Sequence, residues 1–170
     1  MKWMLILLGL LVVPIVVVLI TGMLLPKEHI ASRSLQLHQP PATVYALIAG
    51  PPTWRPTIQS YEPVGKIEGK THWREVDQHN HAITYEEEEA MPPTRRIVRI
   101  ADKNLPFGGT WTYEIQPSGS GSVLRITENG EVYNPLFRFV SRYLMGHTAT
   151  IDRYLKDVAA HFSEPASLLN

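Results

Sequence analysis

The sequence predicts an α+β domain in which a broad antiparallel sheet wraps around a long C-terminal helix, preceded by one transmembrane helix. Three observations carry this prediction. Residues 134–163 repeat their apolar side chains with the period of an amphipathic helix. The chain before them alternates strand-like runs with turns every eight to twelve residues or so, as an antiparallel meander does. Residues 4–25 contain no charged side chain.

The overall composition excludes several classes of protein. Sixteen basic residues balance sixteen acidic ones, so we expect no nucleic-acid partner. The absence of cysteine excludes disulfides, thiol catalysis and thiolate metal sites. Beyond the N-terminal apolar run, the chain is long enough for one domain with a sizeable core and too short for two.

The apolar run at residues 4–25 predicts an uncleaved membrane anchor. As a helix it would be about 33 Å long, slightly more than the roughly 30 Å of bilayer hydrocarbon. A cleaved signal peptide is the alternative, but its apolar core is usually shorter and ends in a small-x-small site, which residues 21–26 do not provide. We therefore expect a single-pass membrane protein. Lys2 lies on one side of the apolar run and Lys27 and Arg33 lie on the other, so the positive-inside rule does not decide how the helix is oriented in the membrane. An extracytoplasmic domain is the preferred orientation.

The region after the anchor contains seven strand-like runs and two short helical segments. The strands are predicted at residues 30–37, 58–67, 72–78, 81–90, 95–101, 110–116 and 123–133. A helix is predicted over residues 42–49, and a helix or turn over 53–58. The chain is thus expected to divide into an anchor and tether (1–28), a folded domain (29–165) and a disordered tail (166–170).

The closing helix has a start signal and one apolar face. Asn134 can cap the first turn, and Pro135 suits the first helical position. Gly146 indicates a bend or a close approach, since glycine is unfavourable inside a helix. The predicted apolar stripe comprises Leu136, Val140, Tyr143, Leu144, His147, Ile151, Tyr154, Leu155, Val158 and Phe162. The opposite face carries Arg138, Arg142, Asp152, Arg153 and Lys156.

Several short motifs in this order resemble the START-like superfamily, also called SRPBCC, and its polyketide cyclase/dehydrase-like branch. They are Val44 to Ile48 followed by Trp54-Arg55-Pro56, Trp73-Arg74-Glu75, Pro106-Phe107-Gly108-Gly109-Thr110-Trp111, and Asn134-Pro135-Leu136. The resemblance covers essentially all of the chain after residue 28. It implies a helix-grip fold, in which seven strands wrap the last helix and leave a cavity for an apolar ligand. Members range from lipid carriers to cyclases and hydroxylases, so the fold alone does not define the activity.

The expected cavity lining is aromatic and aliphatic, with two polar candidates. Strand alternation places Glu87 on the same face as Ile83 and Tyr85, and His147 lies within the apolar stripe. Glu87 could instead belong to a solvated acidic edge, Glu86 to Glu89, paired with arginines of the next strand, and His147 could be a packed core residue. No catalytic residue is assigned beyond these two candidates. The lining residues are predicted to be Trp54, Trp73, Tyr85, Glu87, Trp111, Tyr113, Tyr143, His147 and Ile151.

Two main function classes follow, with no cofactor expected in either. His79 and His81 share a tight turn and lack partners for a metal site, and no phosphate-binding loop or nucleophile elbow is present. The favoured class is a membrane-anchored, monomeric binding or carrier domain for a hydrophobic small molecule or lipid, such as a quinone, fatty acid or isoprenoid. The alternative is a cyclase- or dehydratase-like enzyme that uses a cavity acid or base. A cell-envelope interaction domain without ligand is a third possibility.

Overall fold

The computed structural model describes residues 2–169, without the side chains of residues 2, 4–9, 11 and 145. Its first element is helix α1 (Lys2–Leu24), which contains Pro14. The end of α1 packs against the protein, since Gly22 is buried and a Cβ there would overlap the Pro135 carbonyl group. Glycine is therefore required at this crossing.

The predicted membrane anchor and the single-pass membrane localisation need correction. Among the residues described, no helix combines the length and the apolar character needed to cross a bilayer.

The domain is built on an eight-stranded antiparallel sheet in the order β2-β3-β4-β5-β6-β7-β1-β8. Seven of its strands follow the predicted meander. The eighth, which was not predicted, pairs with β1 and comes from the tail for which the sequence predicted no structure. The strands are β1 (Glu28–Leu37), β2 (Ile58–Ile67), β3 (Lys70–Asp77), β4 (Ala82–Met91), β5 (Arg95–Ile100), β6 (Phe107–Ser118), β7 (Gly121–Val132) and β8 (Leu168–Leu169).

Helix α2 (Pro41–Ala49) lies between β1 and β2 along the chain and packs on β6 and β7. It starts at a proline, whose fixed φ suits the first helical position, and it buries Val44, Tyr45 and Ile48. The following segment, predicted as a helix or turn, is a turn. This turn places Trp54 and Arg55 next to the sheet.

The predicted C-terminal helix is divided into three parts. Helix α3 (Pro135–Val140) is capped by Asn134, whose side-chain oxygen accepts hydrogen bonds from the Leu136 and Phe137 amides at 2.9 and 3.4 Å. A π-helical turn (Ser141–Met145) follows, and Gly146, at φ 76°, separates it from helix α4 (Ala149–His161). The left-handed conformation of Gly146 ends the first helical segment, as the sequence suggested.

Only the second half of the predicted apolar stripe faces the sheet. On α4, Ile151, Leu155 and Val158 are completely buried and Tyr154 is nearly so. Before the break, Leu136, Tyr143 and Leu144 are exposed, as are their neighbours Phe137 and Met23. The stripe continues in the sequence, but the change of direction at Gly146 turns its first half away from the sheet.

Arg138 is buried, contrary to its predicted position on the solvent face. Its guanidinium donates to the carbonyls of Val132 and Tyr133, both at 2.9 Å, and of Gly22 and Leu25 at 3.2 and 3.3 Å. These four bonds join the ends of α1 and β7 to α3. Arg138 is buried because α1 packs on α3. The helical period of the sequence carries no information about this contact.

We expect Arg138→Met to lower the free energy of unfolding by about 2 kcal/mol, because it removes charge-assisted hydrogen bonds and leaves carbonyl groups without donors. Urea denaturation followed by tryptophan fluorescence measures the change. Arg142→Met, in the exposed part of the π-helical turn, is the matched control and should change stability by less than about 0.5 kcal/mol. Equal losses in the two variants would contradict this role for Arg138.

Candidate functional site

A cavity of about 440 Å³ lies between the sheet and the C-terminal helical segments. The buried face of α4 covers one part of the sheet, and the broken segment at 141–148 leaves the space beyond it unfilled. The wall is mostly aromatic and aliphatic, with charged groups at a few points. Its larger and polar lining residues are His29, Ile48, Trp54, Arg55, Tyr61, Trp73, Glu75, Ile83, Tyr85, Arg96, Val98, Ile100, Phe107, Trp111, Tyr113, Glu128, Glu131, Val132, Ser141, His147, Thr150 and Tyr154.

The cavity wall includes six of the nine predicted lining residues: Trp54, Trp73, Tyr85, Trp111, Tyr113 and His147. The other three lie elsewhere. Tyr143 is 58% exposed on the π-helical turn, and Ile151 is fully buried in the core against the sheet. Glu87 is held in an ion pair beside the cavity.

Glu87 points towards the interior side of the sheet but is bound by an arginine from the next strand. Its Oε1 lies 2.8 Å from Nε of Arg96, which is itself buried and lines the cavity. Arg96 also donates to the Ile48 carbonyl and lies over the Trp73 ring, with Cζ 4.9 Å from the ring centroid. Glu87 therefore neutralises a buried cation, and the pairing of this acidic run with arginines is confirmed.

Aromatic rings surround Tyr154 of α4 on the cavity wall. The ring centroids of Trp54, Trp111 and Tyr113 lie 5.3, 5.6 and 5.7 Å from that of Tyr154. Trp54 and Trp111 contact Tyr154 edge to face, a favourable geometry for aromatic pairs. Burial raises the pKa of Tyr154 and of Tyr113, so both phenols stay neutral at pH 7.

An ion pair that the sequence did not assign to the site forms one end of the cavity. Nη1 of Arg55 donates to Glu75 Oε2 at 2.9 Å, and the Trp73 indole donates to Oε1 at 3.0 Å, so both carboxylate oxygens are occupied. The Arg55 guanidinium also lies over Tyr154. Burial is the largest single influence and opposes the charge of Arg55, but Glu75 and the neighbouring tyrosines together outweigh it, so the pKa of Arg55 is raised. The pair thus adds polarity to the cavity without net charge.

The same ion pair separates the main cavity from a smaller one. The second cavity, about 220 Å³, shares part of its wall with the first, including Arg55, Glu75, Trp111 and Tyr154. Its remaining wall includes Asp77 and Asp157. The Arg55–Glu75 pair therefore lies where the two cavities meet.

Two histidines meet at the opposite end, where β1 approaches the helix break. The rings of His29 and His147 are stacked with centroids 4.1 Å apart. His29 Nε2 lies 3.8 Å from Glu128 Oε1, and His147 Nδ1 lies 3.2 Å from Ser141 Oγ. All four residues line the cavity. Of these, only His147 was identified from the sequence.

The protonation states at this end are shifted by burial. Burial lowers the pKa of His29, and the adjacent His147 lowers it further. Burial also lowers the pKa of His147, with Arg142 acting in the same direction. Burial raises the pKa of Glu128, although the indole N–H of Trp111 partly offsets this. Burial thus disfavours the charged form of each of these three groups.

Two local features accompany Glu75 and His29, the site residues that the sequence did not predict. Trp73 and Glu75 alternate on one face of β3, and Gly130 lies opposite His29 in the β1–β7 register. A Cβ at Gly130 would overlap the His29 ring, so a larger residue there would require the ring to move. Within residues 2–169, no group of three or more histidine or carboxylate side chains is placed to hold a metal ion.

This architecture defines a helix-grip protein with an internal cavity. The chain belongs to the family described as polyketide cyclase / dehydrase and lipid transport, which matches residues 28–166. The predicted family and α+β helix-grip fold are therefore confirmed, with eight strands in place of seven. A search of curated proteins finds no match to the sequence.

Solved structures share the fold at low sequence identity. A protein from Thermus thermophilus, TTHA0849, is 22% identical with a TM-score of 0.59, covering 79% of this chain and 95% of that one. Norcoclaurine synthase from Thalictrum flavum is 13% identical with a TM-score of 0.62, covering 86% and 92%. The di-domain ARO/CYC StfQ from the steffimycin biosynthetic pathway is 13% identical with a TM-score of 0.61, covering 79% and 51%, so this chain spans about half of it. At these identities the likeness shows the fold alone.

Proposed function

We propose that the domain, residues 29–165, binds a mainly apolar small molecule or lipid in the cavity, as a binding or carrier module. The observation that carries this proposal is the aromatic-walled space of about 440 Å³, a volume within the range of small-molecule sites. A ligand-free interaction domain would be expected to fill that space with its own side chains. The monomeric state stays a prediction.

The charges around the cavity favour an uncharged ligand. Both lining arginines have a carboxylate partner: Arg55 pairs with Glu75, and Arg96 with Glu87. Burial raises the pKa of Glu128, which disfavours its charged form. An anionic ligand would lose its hydration without finding an unpaired countercharge at these arginines, which is costly. A neutral, largely aromatic or aliphatic molecule with an occasional polar atom meets no such cost.

A cavity-filling substitution tests the proposal. N-phenyl-1-naphthylamine, a neutral dye that fluoresces in apolar surroundings, is the probe. Ile83 lines the cavity, so Ile83→Trp should place an indole in the binding space and weaken dye binding at least about 10-fold. Fluorescence titration gives the Kd, and circular dichroism verifies that the variant is folded.

The matched control is Ile67→Trp, because Ile67 lies on β2 and is half exposed. This variant should bind the dye as the wild type does. Equal binding by all three proteins would place the dye on exposed apolar surface. That result, or no binding by the wild type, would contradict a ligand cavity.

A further inference from the structure

Both arginines on the cavity wall are held by carboxylates of the protein itself. The two oxygens of Glu75 accept hydrogen bonds from Arg55 and from the Trp73 indole. Arg96 donates to Glu87 at 2.8 Å. A ligand that enters this part of the cavity therefore meets aromatic faces and ion pairs that are already formed.

His147, at the opposite end of the cavity, has one ring nitrogen without a partner. Its Nδ1 lies 3.2 Å from Ser141 Oγ, whereas its Nε2 forms no hydrogen bond with the groups that the structure describes. Surrounding atoms do not seal off this nitrogen, as they do the unpaired indole nitrogen of Trp54. Since His147 lines the cavity, Nε2 is an accessible polar atom in surroundings that are largely aromatic.

The orientation of the His147 ring is set by its neighbours. Gly146, at φ 76°, ends the π-helical turn and places His147 in the break before α4. The His29 ring stacks on His147, with centroids 4.1 Å apart and ring planes inclined by 24°. The stack and the Ser141 contact together limit rotation of the ring. A polar group that is oriented in advance binds a ligand at a lower entropic cost.

A hydroxyl group is the ligand group that best suits His147. The Ser141 hydroxyl can donate to Nδ1 or accept from it, so Nε2 can carry either a proton or a lone pair. A ligand hydroxyl both donates and accepts, so it pairs with either form, whereas a carbonyl oxygen pairs with only one. Burial lowers the pKa of His147, with Arg142 acting in the same direction, which disfavours the cationic ring that would attract an anionic group.

We propose that His147 is the polar anchor of the cavity and selects neutral, largely apolar ligands that carry a hydroxyl group at one end. His29 acts as a positioning residue that holds the His147 ring, and the aromatic wall contacts the apolar body of the ligand. This inference rests on the proposed cavity binding and adds the chemical class of the ligand.

Two ligands of nearly equal shape test the proposal. 2-Naphthol carries a hydroxyl group where 2-methylnaphthalene carries a methyl group, and displacement of N-phenyl-1-naphthylamine at neutral pH gives the Kd of each. Both should displace the dye from the wild type. His147→Phe should weaken 2-naphthol binding about 10-fold, as expected for the loss of one hydrogen bond, and leave 2-methylnaphthalene binding within about 3-fold of the wild type. His147→Leu, a smaller apolar replacement, should show the same selective loss.

Two further variants locate the anchor. His79→Phe is the matched control, because His79 is exposed in a turn away from the cavity, and it should bind both ligands as the wild type does. His29→Phe keeps an aromatic ring against His147 and should bind 2-naphthol within about 3-fold of the wild type. Circular dichroism verifies that each variant is folded, and 2-methylnaphthalene binding reports whether its cavity is intact.

Three results would overturn the inference. Equal weakening of both ligands by both His147 variants would mean that His147 only shapes the wall. Unchanged 2-naphthol binding in both variants would exclude the hydrogen bond. A loss in His29→Phe as large as that in His147→Phe would place the anchor at His29. The proposed function survives each of these results, because 2-methylnaphthalene still binds the wild type. Failure of the dye and of both ligands to bind the wild type would instead remove the proposed function.

Discussion

Ile151→Asp is expected to unfold the domain or to lower its free energy of unfolding by about 4 kcal/mol. Ile151 is fully buried where α4 packs on the sheet, so the substitution removes apolar contacts and places a carboxylate where water cannot reach it. Such a loss is a large part of the stability of a domain of this size. Circular dichroism and urea denaturation measure the effect.

Lys156→Asp provides the comparison on the same helix. Lys156 is exposed, and its replacement should change stability by less than about 0.5 kcal/mol. A similar loss for both variants would mean that α4 does not bury the face seen in the structure. Because both substitutions introduce aspartate into one helix, differences in helix propensity cannot account for the expected contrast.

Glu75→Gln is expected to lower the free energy of unfolding by about 3 kcal/mol. The amide can replace only one of the two carboxylate acceptors that Arg55 and the Trp73 indole use, and it leaves the guanidinium charge without its partner. Breaking a buried pair from one side costs more than the pair itself contributes. The side chain of Arg55 is 22% exposed, which places the expected loss at the lower end of the range for buried pairs.

A second variant distinguishes loss of the Arg55–Glu75 ion pair from a general destabilisation of β3. Arg55→Met together with Glu75→Gln removes both partners and should recover part of the lost stability, as a double-mutant cycle would report. Glu86→Gln, which affects pairs with Lys70 and Arg99 at the surface of the sheet, should cost less than about 1 kcal/mol. Additive losses from Arg55 and Glu75 would contradict their coupling.

The local patterns of the sequence predicted most of the sheet and the C-terminal helix that packs against it. Trp111 and Tyr113 are two residues apart on β6, so strand alternation places them on one face, and both line the cavity. The phase of α4 was predictable because helical period is a property of neighbouring residues. The predicted transmembrane helix is contradicted, since no helix among the described residues is long and apolar enough to cross a bilayer.

The polar groups of the cavity were harder to predict because their partners are distant in sequence. Strand alternation predicted which face of β4 carries Glu87. The ion pair between Glu87 and Arg96, however, depends on the register of β4 with β5, which shifts at this point. Arg55 lies in a loop with no periodic pattern, so its pairing with Glu75 has no local signal. The stack of His29 on His147 depends on the helix break and on the space at Gly130.

By itself, the sequence determined the fold class, the order of the elements, the start of the C-terminal helix at Asn134 and the aromatic character of the cavity. The elements and their order follow from side-chain period, turn chemistry and capping, which act over a few residues, whereas the helix-grip fold and its cavity were implied by the resemblance to the START-like superfamily. Only the tertiary structure decided that Arg138 is buried, that β8 completes the sheet, and that Glu75, Arg96, His29 and Glu128 surround the cavity. Burial and ion pairing depend on distances in space, and those distances are set by how the elements pack.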